Sequence, residues 1–541
     1  MSSRLTDGAA EASSPGRGEG GVVRAAAVVG AATLVSRILG FVRDVVVAQG
    51  FGAGPVTDAF FVAFRLPNLL RRLLAEGALS SAFIPVFTEY LTTRPRAEVL
   101  RMLRAVCGAM VTVLAGATLL GMVGAPVLVR VMAPGFFDAA GTGALAVRLT
   151  RLMFPYLFFV GLAALAMGIL NAHRHFLTPA LAPVMLNLAI IGAVLGLAPR
   201  LAEPVIGLAI GVLVGGAGQL GLQLPLLARH GVLVAPSVDP RHPAVDRIVR
   251  LMAPVAVGQS ATQLNLLVDT IIASFLVGGS VSYLYYADRL VEFPLGVFGI
   301  AIATAVLPTL SEQAARQDLA AFRKTFWFAL RLATFITMPA SVGLLLLRAP
   351  MVRVLYQRGE FGPVETAGTA WALGFYALGL VGFAAVKIGA QGFYALGDTR
   401  TPVRVAMGAM ALNSVLAVLL ARPLAHGGLA LATSCSGVAN AFTLAWLLRR
   451  RLVGGPGPGT ARGFLRIALA SGGLALALVL AGWAWPLAAT RTEETVRLAV
   501  LVIGGVVVYL GIHAALGSEE MAVVHDAVRA RVRRARRRRL P

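Results

Sequence analysis

Charge is scarce in this chain. Asp, Glu, Lys and Arg make up only 13% of its 541 residues, whereas 57% are hydrophobic. No soluble core hides that much apolar surface, so a soluble globular class is excluded. Lysine occurs twice, at Lys324 and Lys387, and 25 acidic residues face 48 basic ones. Cysteine is confined to Cys107 and Cys435, both in apolar stretches where a thiol behaves as a small hydrophobe, so neither disulfide nor metal–thiolate chemistry is indicated. No Walker A loop, HExxH, GxSxG or histidine cluster occurs, and His173, His175, His230 and His242 all fall in expected cytoplasmic loops. The sequence carries no signature of covalent catalysis.

What the chain has instead is long apolar runs, with a mean hydropathy of +0.79. A membrane-spanning helix takes roughly 20 apolar residues, and by that criterion about fourteen spans are predicted. The fold class expected is an all-α polytopic membrane protein of two parallel six-helix repeats plus two C-terminal helices. Residues 1–24, rich in Gly, Ser, Ala and Glu, read as a disordered cytoplasmic tail. The apolar segment that follows is too long for a signal-peptide core and is expected to be retained as the first span.

The net charge of +23 is distributed by loop. Arg94, Arg96, Arg101 and Arg104, then Arg229, Arg241, Arg247 and Arg250, then Arg316, Arg323 and Lys324, and finally Arg449, Arg450 and Arg451 occupy alternate loops. The intervening loops FGAGPVT (51–57), APGFFDAAGTG (133–143) and GGSVS (278–282) carry no Lys or Arg. By the positive-inside rule both termini are expected in the cytoplasm. One exterior loop departs from the pattern, with Arg348, Arg353 and Arg358. The terminal run RVRRARRRR (531–539) is read as topology retention or contact with anionic membrane lipid, and not as a nucleic-acid site.

The chain also repeats itself at an offset near 224. APVLVRV (125–131) recurs as APMVRVL (349–355), and FPYLFFVGLAALAMG (154–168) as FYALGLVGFAAVKIG (375–389). FLTP (176–179) has its counterpart in TRTP (399–402). An even number of spans per copy makes the copies parallel, a geometry suited to rocking about a central site. The expected divisions are a six-helix bundle at 25–230, a cytoplasmic linker at 231–246, a second bundle at 247–450, two added helices within 451–517, and a basic tail at 518–541.

Ionisable residues inside the spans are the informative ones, because each arginine or carboxylate at the bilayer centre costs roughly 2.5–3.5 kcal/mol to insert. SRILGFVRD (36–44) places Arg37 and Asp44 nearly on one helix face, with Arg43 about 120° away at 100° per residue. DAFFVAFRLPNLLRRLLAEG (58–77) carries Asp58, Arg65, Arg71, Arg72 and Glu76, with Pro67 as a kink and a break expected near Gly77. YYADRLVEFP (285–294) adds Asp288, Arg289 and Glu292, and Lys387 lies in a later span. Structural ion pairs such as Arg43 with Asp44, or Asp288 with Arg289, account for part of this set, and for Asp58, Arg65 and Arg72 that reading is favoured. It does not cover the whole set, since Arg37, Arg43, Arg71 and Arg289 outnumber the carboxylates at similar depth. An excess of guanidinium implies an anionic ligand, and its planar fork suits phosphate.

SRILGFVRDVVVAQGFGAG, then TDAFFVAFRLPNLLRRLLAEGALSSAFIPVF, then YYADRLVEFPLGVFGIAIATAVLP, resemble the MurJ (MviN) family of bacterial lipid II flippases, within the multidrug/oligosaccharidyl-lipid/polysaccharide exporter superfamily. The resemblance runs from about Ala25 through the twelfth span. It implies transport of undecaprenyl-pyrophosphoryl-MurNAc-pentapeptide-GlcNAc from the inner to the outer leaflet by alternating access, for peptidoglycan synthesis. It places the family's cavity arginines on Arg37, Arg43, Arg71 and Arg289, with Asp44, Asp58, Glu76 and Asp288 as supporting carboxylates. It also implies a lipid-tail groove at the two last helices and cell-wall synthesis proteins as partners. A sodium site of some members would fall on Asp269, Asn413 and Thr433. Ala417 stands where a second carboxylate is expected, and Asp269 is equally a candidate for a hydrogen-bonded structural group. No other cofactor is expected.

Three rivals remain at the level of sequence. A drug or cation exporter of the same superfamily predicts a cavity of carboxylates and aromatics. A polysaccharide-unit flippase also handles a polyprenyl pyrophosphate. A membrane scaffold held by its basic tail would not require arginines at mid-bilayer.

Overall fold

The computed structural model describes residues 16–72, 79–138, 141–237, 239, 242–452, 457–485 and 490–521. Glu76, the break expected near Gly77, Arg241 and the basic run 531–539 lie outside the described residues.

Twenty α-helices account for most of the described chain. The first ten are α1 (Gly16–Phe51), α2 (Pro55–Arg71), α3 (Ser80–Thr93), α4 (Arg96–Val123), α5 (Ala125–Met132), α6 (Thr142–Met153), α7 (Tyr156–Ala172), α8 (Leu177–Gly192), α9 (Pro204–Gly221) and α10 (Leu224–Arg229). The next eight are α11 (Pro243–Ser274), α12 (Ser280–Pro294), α13 (Ile300–Ala315), α14 (Leu319–Leu346), α15 (Arg348–Tyr356), α16 (Pro363–Ala395), α17 (Arg400–Leu424) and α18 (His426–Arg451). Two more, α19 (Pro458–Ala484) and α20 (Arg491–Ala515), follow.

Helices are what a chain this apolar must form in hydrocarbon, because each satisfies its own backbone donors and acceptors. Among the described residues, 11 segments are long and apolar enough to cross a membrane. α1 with 36 residues, α11 with 32, and α2 with α3 make three further segments, which is consistent with the fourteen spans expected. The order of elements repeats as the sequence does: α4, α5, α6 with α7 as one span, α8 and α9 correspond to α14, α15, α16, α17 and α18.

One boundary differs from expectation. α1 begins at Gly16, so residues 16–24, expected in the tail, continue the first helix. Extending a formed helix costs far less than nucleating one, and after Pro15 nothing in GRGEGGVVR stops the extension.

By internal contact the chain forms two compact units that are not contiguous in sequence. The first comprises Met1–Asp44, Leu66–Gly124 and Arg151–Gln259; the second comprises Val45–Arg65, Ala125–Thr150 and Ser260–Pro541. In the first unit, Phe83 and Phe87 of α3 stack at 5.1 Å and are buried with Met102 and Leu103 of α4 and Leu170 of α7. α9 lies against α8 through Gly211 and Gly215, where an added Cβ would come within 2.8 Å of Ala193 and 2.7 Å of Leu186. Close approach through small residues is the usual way apolar helices associate in lipid, where burial itself gives no driving force.

The second unit uses the same device on a larger scale. α16 presents Gly379, Gly382, Gly389 and Gly392 to Ser434, Val438, Leu444 and Leu448 of α18. Arg331 of α14, only 5% exposed, reaches Glu519 at 2.5 Å and Glu520 at 2.7 Å and so ties the end of the chain to α14. The segment Val45–Arg65 is held in this unit by main-chain contact: Glu360 N donates to Gln49 O at 3.0 Å. Gly52 and Gly359 flank that contact with φ of 63° and 57°, and a Cβ on either would meet a main-chain oxygen at 2.5 Å or less.

The turn between α16 and α17 is fixed by Asp398. Its carboxylate accepts from Thr401 N at 3.0 Å, Thr401 Oγ1 at 2.8 Å and Arg451 Nη1 at 2.6 Å. These bonds, the backbone one from Thr401 first, hold the carboxyl below its ordinary 3.8, at about 2.

Two predictions follow from these contacts. Gly52→Ala combines a left-handed backbone with a clash and is expected to cost about 1–3 kcal/mol, lowering Tm in detergent, whereas Gly54→Ala, with open space around it, leaves Tm unchanged. For Asp398 the folded value is depressed, so its contribution is complete above about pH 4 and fades as pH falls toward about 2. The Tm difference between the wild type and Asp398→Asn should therefore stay constant from neutral pH down to about 5 and shrink below about 4.

Candidate functional site

In the first unit the charged stretch of α1 meets α8. Arg43 donates to Asp44 Oδ1 through Nε at 3.0 Å and Nη2 at 2.7 Å, and to Asn187 Oδ1 through Nη1 at 3.1 Å. Asn187 returns a bond from Nδ2 to Ser36 O at 3.1 Å. Gly40 faces the Asn187 amide, where an added Cβ would make an ordinary contact at 3.7 Å. Asp44 and Asn187 are buried, at 3% and 5%. The pair Arg43–Asp44 is thus a built ion pair oriented by a buried amide, in which Arg43 keeps a partly exposed guanidinium.

Arg37, nearly two helical turns earlier, is exposed and makes no hydrogen bond or ion pair among the described residues. At the end of α2, half-buried Arg71 is steered by Nε donation to Asn68 Oδ1 at 2.7 Å, and Arg72 is exposed.

In the second unit the start of α2 organises α12. Asp58, 2% exposed, accepts from Gly279 N at 2.6 Å, Ser282 N at 2.8 Å and Ser282 Oγ at 2.5 Å. A carboxylate at a helix N-terminus satisfies donors that have no partner within the helix and complements its dipole. Gly279 is required here, with φ of 97° and Ala53 O 2.5 Å from any added Cβ. The helix held in this way carries Asp288, Arg289 and Glu292. Arg289 donates to Glu292 Oε2 at 2.6 Å and to Tyr285 Oη at 3.2 Å, with its guanidinium 4.7 Å from the Tyr285 ring.

Arg65, the one arginine of α2 in the second unit, lines a cavity of about 190 Å³ with Asn265, Asp269, Tyr285, Asp288 and Thr433. Its Nη1 donates to Thr270 Oγ1. Asn413 Nδ2 donates to Asp269 Oδ1 and to Asn265 Oδ1, each at 2.9 Å, so the candidate ion ligands Asp269 and Asn413 are in contact. Asn413 Oδ1 is buried with no hydrogen-bond partner among the described residues. Thr433 gives its hydroxyl proton to Leu429 O at 3.0 Å and keeps its oxygen lone pairs for a cation. Carboxylate, amide and hydroxyl oxygens are the donors a hard monovalent cation takes, so the residues present fit such an ion. Ala417, where a further carboxylate was expected, is fully buried. Lys387 is exposed on α16 and belongs to neither cluster.

Asn187 was not singled out by sequence reasoning, although an amide in the apolar run LNLAII of α8 is the signal that finds it. Arg65 was read as structural, and only the folding of α2 against α11 and α12 shows that it shares a cavity with Asp269 and Asp288.

Removing the carboxylate of Asp58 leaves buried donors of α12 without an acceptor, at about 1–3 kcal/mol each. Asp58→Ala is expected to lower Tm markedly and Asp58→Asn less, since the amide oxygen still accepts; equal Tm values for the three proteins would contradict this capping role.

Comparison with known proteins gives the following. The family model described as Lipid II flippase MurJ matches residues 47–506. The probable lipid II flippase MurJ of Vibrio cholerae is 42% identical over 426 residues, covering 77% of this chain and 81% of that protein. The lipid II flippase MurJ of Burkholderia cenocepacia is 38% identical over 463 residues, covering 85% and 89%. A solved structure of lipid II flippase MurJ in an inward closed conformation superposes with a TM-score of 0.76 at 26% identity, covering 90% of this chain and 98% of that one. An inward-facing multidrug resistance MATE family transporter of the MOP superfamily gives a TM-score of 0.63 at 16% identity, covering 79% and 98%, a likeness of fold.

Proposed function

The chain belongs to the MurJ family of lipid II flippases, and from that premise we propose that it moves lipid II from the inner to the outer leaflet of the cytoplasmic membrane by alternating access. It is a multi-pass membrane protein, and in this reading no covalent bond is made or broken. Arg37, Arg43, Arg71 and Arg289 receive the pyrophosphate. The observation that carries this assignment is Arg37: an arginine in an apolar helix, exposed and without a hydrogen bond or ion pair among the described residues. A guanidinium at that depth costs roughly 2.5–3.5 kcal/mol unless an anion meets it, and a diphosphate offers the oxygen geometry its fork accepts.

The other three are held in defined orientations. Asp44 and Asn187 fix Arg43, Asn68 fixes Arg71, and Glu292 with Tyr285 fixes Arg289. Orientation before binding lowers the ordering cost that binding must overcome. Asp58 acts one step back, by setting the start of the helix that carries Arg289. The polyprenyl tail stays in lipid against α19 and α20.

Asp269, Asn413 and Thr433 would hold a sodium ion, which when bound would make its gradient available to drive reorientation. Both termini lie in the cytoplasm in this reading, with the basic tail 518–541 against anionic lipid and cell-wall synthesis proteins as partners.

Complementation of a bacterium depleted of its lipid II flippase tests the assignment. The unmutated chain is expected to restore growth, and Arg37→Ala, Arg43→Ala, Arg71→Ala and Arg289→Ala are expected to lose rescue at normal membrane levels. Failure of the well-inserted wild type overturns the substrate; rescue by all four variants overturns the arginine assignment.

A further inference from the structure

The cavity of the second unit holds one fixed cation and two fixed anions. Arg65 enters it from α2, Asp269 from α11 and Asp288 from α12. Asp269 and Asp288 share the wall of this cavity with the Arg65 guanidinium, beside the phenols of Tyr285 and Tyr376. The formal charge of the cavity with Arg65 in place is thus one negative, and without it two. Among the described residues Arg65 donates one hydrogen bond, to Thr270 Oγ1. Asp269 is held by Asn413, whose own oxygen is buried without a hydrogen-bond partner among the described residues. The cavity's volume of about 190 Å³ leaves room for an ion with part of its water, a water molecule taking about 30 Å³.

We propose that Arg65 is a tethered competitor of a free monovalent cation for the Asp269 and Asp288 carboxylates, and so sets both the affinity and the valence preference of the site. With Arg65 docked, the residual single negative charge suits one monovalent ion and disfavours a divalent one. A free ion entering beside Asp269 brings a like charge next to the guanidinium and weakens its hold. By linkage the effect is reciprocal: whatever draws Arg65 away strengthens ion binding by the same factor.

The inference rests on the ion-site reading above, and not on lipid II transport. It is tested on the purified full-length chain by thermal shift against NaCl, choline chloride and CaCl2 at constant ionic strength, with no flipping assay. Arg65→Gln is expected to lower the sodium midpoint by about tenfold or more and to gain a calcium response that the wild type lacks. Arg65→Lys, which keeps the charge, should behave as the wild type. Asp269→Asn should abolish the sodium response, alone and combined with Arg65→Gln. A sodium response that appears only in Arg65→Gln also supports competition. If Asp269→Asn abolishes the response while Arg65→Gln leaves the midpoint unchanged, the competitor role is overturned and the ion site stands. If neither the wild type nor Arg65→Gln responds to sodium beyond choline, both are overturned.

Discussion

A guanidinium carried into the bilayer on an apolar helix must find negative charge or hydrogen-bond acceptors, and this requirement shapes every informative part of the protein. Arg43 meets it with Asp44 and an amide from α8, Arg289 with Glu292 and a tyrosine ring, and Arg331 with Glu519 and Glu520. Arg65 meets it with a threonine and the fields of two carboxylates. Arg43, Arg65 and Arg331 take groups from a second segment of the chain and so fix it against their own helix, whereas Arg289 finds both partners on α12 itself. Charge that is expensive in lipid thereby supplies orientation as well as a place for an anion.

Between these points the packing is done by absence of side chains. α9 meets α8, and α16 meets α18, through glycines whose replacement would put a Cβ inside a neighbour's contact distance. Such surfaces are stiff, because the backbones themselves are in contact and little can be rearranged. Stiff helix pairs are what a transporter moving bundles as bodies requires.

The fold was legible because its signal is redundant: apolar length, loop charge and the 224-residue echo each point to helices in a repeated order, and α4 through α9 recur as α14 through α18. The pairing of Arg43 with Asp44 was legible because the residues are adjacent. Arg289 takes a partner three residues along its helix, at Glu292, which periodicity permits and does not single out. Asn187 and the Arg65 cavity needed the fold, since their partners lie 144 to 205 residues away in sequence. The helical start at Gly16 escaped because composition scores residues one by one, whereas a helix already running lowers the cost of the next residue. The division of the chain into compact units escaped for a related reason: helices such as α1 and α11 serve one unit along part of their length and the other along the rest.

The contact between Gln49 and Glu360 joins main chain to main chain and is flanked by two left-handed glycines. A junction of this kind recognises contour and not chemistry. The side chains around it are free to drift between hydrophobic, polar and charged through evolutionary time, while the two glycines are not. Variation among descendants of this chain should therefore be permissive at positions 49 and 360 and nearly silent at 52 and 359, a pattern opposite to that of a gate built from ion pairs.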